Sequence, residues 1–198
     1  LNNLCISDEL VALRKRANEG SIPIANDETL NFILTLAQAK DAKSILEVGC
    51  AVGLTTRALK EKCKGAHITA IERDDNFYAQ ACENLSIYAD EVTLLHGDAL
   101  EIVPTLNTCT YDFIFLDCAK VQYIKLLPHL KRQLKPNGVL LADDVLLYGW
   151  VNGEQPTPPK RRMLVQHIRE YIHAVTHDEQ LTTSIVGVGD GLAISVKK

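Results

Sequence analysis

The chain has 198 residues, enough for one domain with a full core and too few for two large ones. A hydrophobic fraction of 46% and a charged fraction of 23% exclude a disordered, collagenous or coiled-coil chain. The 21 Lys and Arg against 25 Asp and Glu leave a net charge of −4, which excludes a binder of nucleic acid by bulk charge but not one with a local basic patch.

No run approaches the ~20 apolar residues of a membrane span, and the first ten residues, LNNLCISDEL, carry no signal-peptide pattern. Six cysteines are present, with no two within four residues of each other. A cytoplasmic protein with reduced thiols and no membrane association is expected.

In chain order, a short polar helix over 8–20 opens at Ser7 or Asp8 and stops at Gly20. A second follows Asn26 and Asp27, with Leu30, Ile33, Leu34 and Ala37 on one face. Strand, helix and strand then alternate: strand 44–48, helix 54–62, strand 67–71 ending at Glu72, helix 75–88, strand 92–95, a short helix near 99–106, strand 112–116, helix 121–134 and strand 139–142. These apolar strands do not alternate with polar residues, so both faces are covered, and the helical links permit parallel pairing. Pro128 predicts a kink or restart in its helix, and Pro136-Asn137-Gly138 predicts a helix end turning into a strand. Residues 148–159 read as loop, 160–176 as helix, and 182–188 with 192–196 as a tight antiparallel hairpin across Gly189-Asp190-Gly191. The expected fold is one α/β domain, residues 1–198, in which N-terminal helices (1–40) precede an α/β core (41–198).

Two groups of residues carry chemistry. Glu47-Val-Gly49-Cys-Ala-Val-Gly53 closes the first strand of the repeat; its glycines let a ligand approach the backbone, and the next helix N-terminus favours negative charge. Glu72 ends the second strand, where a carboxylate can take both hydroxyls of a ribose. The second group is acidic: Asp117 ends one strand, and Asp143 and Asp144 end the next. If those strands are adjacent, three carboxylates meet at the ligand edge of the sheet, which suits a hard cation such as Mg²⁺. Otherwise they are strand-end acids that cap helices or face water. Lys120, three residues after Asp117, can face the same pocket or lie on the surface.

The ordered segments ILEVGCAVG, AIERDD, HGDAL, FIFLDCAK, LKPNGVLLADDVLLYGWV and GVGDGLAISVKK resemble the small bacterial S-adenosylmethionine-dependent O-methyltransferases related to catechol and caffeoyl-CoA O-methyltransferases. The resemblance runs from about Ile22 to the C-terminus. It implies a Rossmann-like methyltransferase sandwich with a mostly parallel seven-stranded sheet and a C-terminal antiparallel hairpin, and a homodimer. It further implies that Glu47, Gly49, Gly53, Thr55, Glu72, Asp98, Ala99 and Asp117 surround S-adenosylmethionine, that Asp117, Asp143 and Asp144 hold Mg²⁺ or another hard divalent cation, and that Lys120 is the general base. Such a base needs a depressed pKa, which a neighbouring divalent cation would supply. Relatives carry Asp-Asn where this chain has Asp143-Asp144, an extra negative charge here. Cys118 reads as small packing rather than a nucleophile, and the histidines form no metal spacing.

Two acceptors stand open. Tyr148 and Trp150 follow the acidic strand and can wall a small catechol-type phenol. Lys160, Arg161 and Arg162, with Arg169 two turns on, form a basic helix opening, and the order P-x-K-R-R-M-L-V-x-x-I-R-x-Y resembles family members that methylate 5-hydroxyuridine at the tRNA wobble position. There the cations would hold phosphates.

Overall fold

Alternate residues of Ser44–Val48 point to opposite sides of a strand, yet Ile45, Leu46, Glu47 and Val48 are all buried, so layers of side chains must close over both faces. The computed structural model describes residues 6–198. It places seven strands in one sheet: β1 (Ser44–Val48), β2 (His67–Glu72), β3 (Val92–His96), β4 (Tyr111–Leu116), β5 (Leu134–Ala142), β6 (Leu181–Val186) and β7 (Leu192–Lys197). Their order is β3-β2-β1-β4-β5-β7-β6. The first five are parallel, and β7 enters antiparallel between β5 and β6. This is the expected α/β arrangement with its C-terminal antiparallel pair.

Helices α1 (Asp8–Glu19), α2 (Asp27–Ala39), α3 (Leu54–Lys62) and α4 (Asp75–Leu85) cover one face, on a core that includes Ile45, Phe113, Phe115 and Leu141. Helices α5 (Ala99–Ile102), α6 (Tyr123–Gln133) and α7 (Arg162–Thr176) cover the other, on Leu46, Val48, Ile114, Leu116 and Leu140. The starts are fixed by side-chain acceptors on orphan amides: Ser7 accepts from Leu10, Asn26 from Thr29, and Asp74 from Asn76 and Phe77. Because the strand order reverses between β1 and β4, their carboxyl ends diverge into a crevice, the place where open α/β sheets take ligands.

Four local expectations are corrected. The 75–88 helix is two pieces, α4 and a 3₁₀ turn at Ser86–Tyr88. Pro128 causes no restart: it lies exposed in the second turn of α6, which runs on to Gln133. Strand β5 begins already at Leu134 and carries Pro136-Asn137-Gly138 inside it; Asn137 is left-handed (φ 59°) and the register against β4 shifts there, so a bulge absorbs the proline that cannot donate to the ladder. The hairpin is not tight, since β6 ends at Val186 and five residues, 187–191, reach β7. Among the described residues no helix is long and apolar enough to cross a membrane, and Cys50, Cys63, Cys82, Cys109 and Cys118 are free thiols.

Tyr171 of α7 is fully buried edge-on to Tyr123, with ring centroids 5.3 Å apart, and its hydroxyl has no hydrogen-bond partner among the described residues. An unpaired buried hydroxyl opposes folding. Tyr171→Phe keeps the ring packing and is expected to raise unfolding free energy by about 1 kcal/mol, measured by urea denaturation; a loss of that size would reveal a bond to the hydroxyl.

Candidate active site

A cavity of about 420 Å³ opens at the carboxyl edge of the sheet, lined among others by Gly49, Ala51, Glu72, Gly97, Asp117 and Lys120. Gly49 leaves β1 with φ 92°, and a Cβ there would overlap the carbonyl oxygen of Asp117 on the neighbouring strand. Only glycine allows this approach. The turn is held from β2: Glu72 Oε2 accepts from the Ala51 amide at 2.8 Å, while its Oε1 accepts from the Arg73 and Asp74 amides, each at 2.8 Å. Of the roughly four lone-pair sites of a carboxylate, three are engaged by backbone, and the residue still borders the cavity.

The other residues expected around a cofactor divide. Ala99 lines the cavity, but Asp98 does not; its Oδ1 caps α5 through the Leu100 amide (2.8 Å) and takes Gln122 Nε2 (2.9 Å), so the wall is made by Gly97, Ala99 and Gln122. Gly53 (φ 79°) precedes α3, and a Cβ there would press on Leu85 rather than on the cavity. Glu47 and Thr55 lie in a small adjoining recess with Pro23, Ile24 and Ala25. Glu47 is buried in β1 and accepts from Thr56 Oγ1 at 2.5 Å. Burial above all, then the charges of Asp117 and Glu72, push its carboxyl up to about 8 against the Thr56 hydrogen bond.

The acids do meet at one edge, around a lysine. Asp117 leaves β4 and Asp143-Asp144 leaves β5 beside it, with the Asp143 amide donating to Leu116 O at 3.1 Å. Lys120 begins a 3₁₀ turn, Lys120–Gln122, and its Nζ donates to Asp117 Oδ1 (2.8 Å) and Tyr123 Oη (2.9 Å) and lies 3.1 Å from Asp144 Oδ2. Two N–H bonds of the ammonium are therefore committed to hydrogen bonds, and Asp144 is an ion-pair partner. The Tyr123 hydroxyl in turn donates to the Leu116 carbonyl at 2.8 Å. Burial works to lower the Lys120 pKa, but Tyr123, Asp117 and Asp144 outweigh it and hold the group well above the ordinary lysine value. With no cation among these groups, the surrounding charges favour the ammonium form of Lys120, and the depressed pKa expected of a base would need the neighbouring divalent cation.

The expected metal cage is not assembled as the side chains stand. Among the described residues no three Asp, Glu, His or Cys groups are placed to hold one ion. Lys120 draws Asp117 and Asp144 to itself, and Asp143 turns its Oδ1 to the Asp144 amide at 2.7 Å. Burial first, then Asp117 and Asp144, raise the Asp143 carboxyl to about 7. As arranged, the donor set does not fit a divalent cation, and the lysine supplies the positive charge. The extra acid at 144 has its partner in Lys120, and its left-handed backbone (φ 54°) is one that Asp and Asn tolerate best after glycine.

On the acceptor side, Tyr148 and Trp150 rings lie 5.1 Å apart in the loop after β5, outside the lining of the cavity. Arg169 is not part of a phosphate-facing patch; its guanidinium donates to the carbonyls of Val151 (3.1 Å) and Trp150 (3.2 Å) and ties that loop to α7. Lys160, Arg161 and Arg162 are exposed, with no ion pair to a described residue. Cys118 is inert as a nucleophile, its thiol pushed up to about 12 chiefly by burial. The sequence reading missed Gln122, Tyr123, Arg73 and Phe77. Tyr123 follows Lys120 at the i, i+3 spacing that brings side chains together, and Arg73 directly follows Glu72.

Glu47 sets a pH dependence. Its folded pKa of about 8 exceeds the ordinary 4.5, so the folded state keeps a proton that the unfolded chain releases. That contribution is complete below about pH 4.5 and is lost, on the order of a few kcal/mol in all, as the pH rises through 8. Glu47→Gln keeps an acceptor for Thr56 and is expected to flatten the fall of Tm between pH 5 and 8; an unchanged slope would place the titration elsewhere.

The comparisons with known proteins identify the family and the fold. The O-methyltransferase family model matches residues 3–198. A catechol O-methyltransferase from Niastella koreensis is 29% identical over 207 residues, covering 96% of this chain and 90% of its own. Among solved structures, a candidate caffeoyl-CoA O-methyltransferase from Staphylococcus aureus superposes with a TM-score of 0.88 at 31% identity, over 98% of this chain and 93% of that one. The O-methyltransferase from Bacillus cereus, solved in complex with SAH, shares the fold with a TM-score of 0.84 at 22% identity, over 99% and 94% of the two chains. With its whole described length inside one family model and its ligand crevice at the switch point of that fold, the chain belongs to the O-methyltransferase family.

Proposed function

We propose that the cavity holds S-adenosylmethionine and that the protein transfers its methyl group to a ring hydroxyl of 5-hydroxyuridine in a tRNA anticodon. Glu72 would take one ribose hydroxyl with its remaining lone pair, Gly97 and Ala99 would flank the adenine, and the recess of Glu47, Gly49 and Thr55 would receive the methionine end beside Asp117. A sulfonium methyl, when bound, supplies the electrophile. The observation that carries the acceptor reading is the run Lys160, Arg161 and Arg162: three exposed cations, without an ion pair to a described residue, open the helix that packs against the Lys120 turn. Such a run attracts phosphates and leaves base recognition to the pocket.

Lys120 prepares the oxygen. The acceptor hydroxyl displaces Asp144, the most exposed partner of Lys120 at 41% side-chain exposure, and takes its N–H. Beside an ammonium the hydroxyl ionises more readily, its proton leaving to solvent through the open crevice. The oxyanion then forms the new C–O bond as the S–CH₃ bond breaks and its electron pair returns to sulfur. No step is routed through a metal ion.

A second reading rests on the Niastella koreensis relative: a free catechol-type phenol walled by Tyr148 and Trp150. Transfer from labelled cofactor to total tRNA and to a catechol panel, each with and without EDTA, decides between them. Labelling of tRNA that falls steeply between low and moderate salt is expected; salt-insensitive labelling of catechols with no tRNA product would overturn the proposal for the second reading. Lys120→Met is expected to lower kcat by about 10²-fold or more while S-adenosylmethionine binding, read by calorimetry, persists. Near-normal kcat would remove Lys120 from the mechanism.

A further inference from the structure

The 3₁₀ turn that begins at Lys120 ends on Gln122, which borders the cavity while only 8% of the residue is exposed. Its amide is turned by Asp98: Nε2 donates to Oδ1 at 2.9 Å and to Oδ2 at 3.1 Å. Asp98 is itself fixed, because its Oδ1 also accepts from the Leu100 amide at 2.8 Å and so caps α5. A carboxylate oxygen paired in this way accepts, so the nitrogen of the Gln122 amide faces Asp98 and the oxygen faces away from it.

That oxygen is unpaired. Gln122 Oε1 accepts no hydrogen bond among the described residues, yet it is not sealed from solvent as the orphan oxygens of Gln133 and Tyr171 are. For a residue buried this far, the opening that reaches it is the cavity it borders. Ile71, Phe77, Gly97 and Ala99 border the same cavity and offer the apolar surface and close backbone that suit the faces of a flat heterocycle. One oriented acceptor thus stands beside a surface for a ring.

We propose that Gln122 selects the purine of the cofactor: its oriented carbonyl accepts a hydrogen bond from the exocyclic amine of adenine, and Asp98 is the positioning residue that orients it. This rests on the reading that the cavity holds S-adenosylmethionine. Asp98 serves the base at one remove, through the amide it turns. A hypoxanthine base carries an oxygen where adenine carries the amine, so two carbonyl oxygens would face each other with no proton between them. A site built to receive a donor rejects such an analogue, because its acceptor loses water without gaining a bond.

S-adenosylhomocysteine and its deaminated counterpart, S-inosylhomocysteine, test the proposal by calorimetry on the full chain. The wild type is expected to bind the inosyl compound on the order of 50-fold more weakly. Gln122→Leu keeps the bulk and removes the carbonyl; it is expected to weaken the adenosyl compound and bring the ratio of the two dissociation constants within about fivefold. A loss of packing alone would weaken both ligands alike and leave the ratio where it was. Asp98→Asn keeps a cap for α5 but offers Gln122 a donor as well as an acceptor, so the amide can turn over. There the ratio is expected to fall about tenfold with Tm nearly unchanged. A wild-type ratio under about fivefold, or a ratio unchanged in Gln122→Leu, would overturn the selection by Gln122, and a ratio unchanged in Asp98→Asn would overturn the part given to Asp98. Binding of neither compound by the wild type would overturn the cofactor reading itself, a result distinct from binding both equally.

Discussion

A single half-buried ammonium, that of Lys120, organises the acidic edge of this protein. Parallel strands end on the same side of their sheet, so the chain that ends β4 in Asp117 and β5 in Asp143-Asp144 brings three carboxylates together. Like charges gathered at a half-buried edge resist folding unless a cation lies among them. Lys120 meets that need with hydrogen bonds to Asp117 and Tyr123 and an ion pair to Asp144, and Tyr123 in turn fastens the start of α6 to the end of β4. The lysine is at once the counter-ion of the edge and part of the cavity wall.

The cofactor side is built on a different principle. There a carboxylate is satisfied by backbone: Glu72 takes amides from the glycine turn after β1 and from its own following turn. The two glycine turns do not share one task, since Gly49 allows the approach of Asp117 and Gly53 the packing of α4. This fixes the lip of the cavity before any ligand arrives, so binding requires little reordering. The loop after β5, by contrast, carries left-handed Leu147 and Tyr148 and is held by Arg169 at one end and by the hairpin loop at the other. The lip of the cavity is rigid by hydrogen bonding and this loop by strain that its neighbours contain.

Much of this was legible in the residues. Apolar runs without alternation marked strands covered on both faces, and Ser7 and Asn26 marked helix starts because their side chains accept from local amides. Glu72 was legible from its place at the end of the second strand. What the residues did not reveal depends on where side chains turn. Asp143 and Asp144 are adjacent in sequence, yet one bonds its neighbour's amide and the other a lysine. Asp98 reads as a ligand group and is a helix cap held by Gln122; Arg169 reads as part of a basic face and clamps a loop. Pro136 reads as a break and sits in a bulge, because a strand can absorb one residue that lacks an N–H when its register shifts.

The central claim is that Lys120 is an ammonium held by its three oxygen partners rather than a neutral amine. Nitrogen-detected NMR of lysine side chains, titrated in the ligand-free protein and assigned through Lys120→Met, tests it most directly. The account predicts that Lys120 titrates above the ordinary lysine value of about 10.4; a Lys120 that deprotonates at or below that value would contradict it.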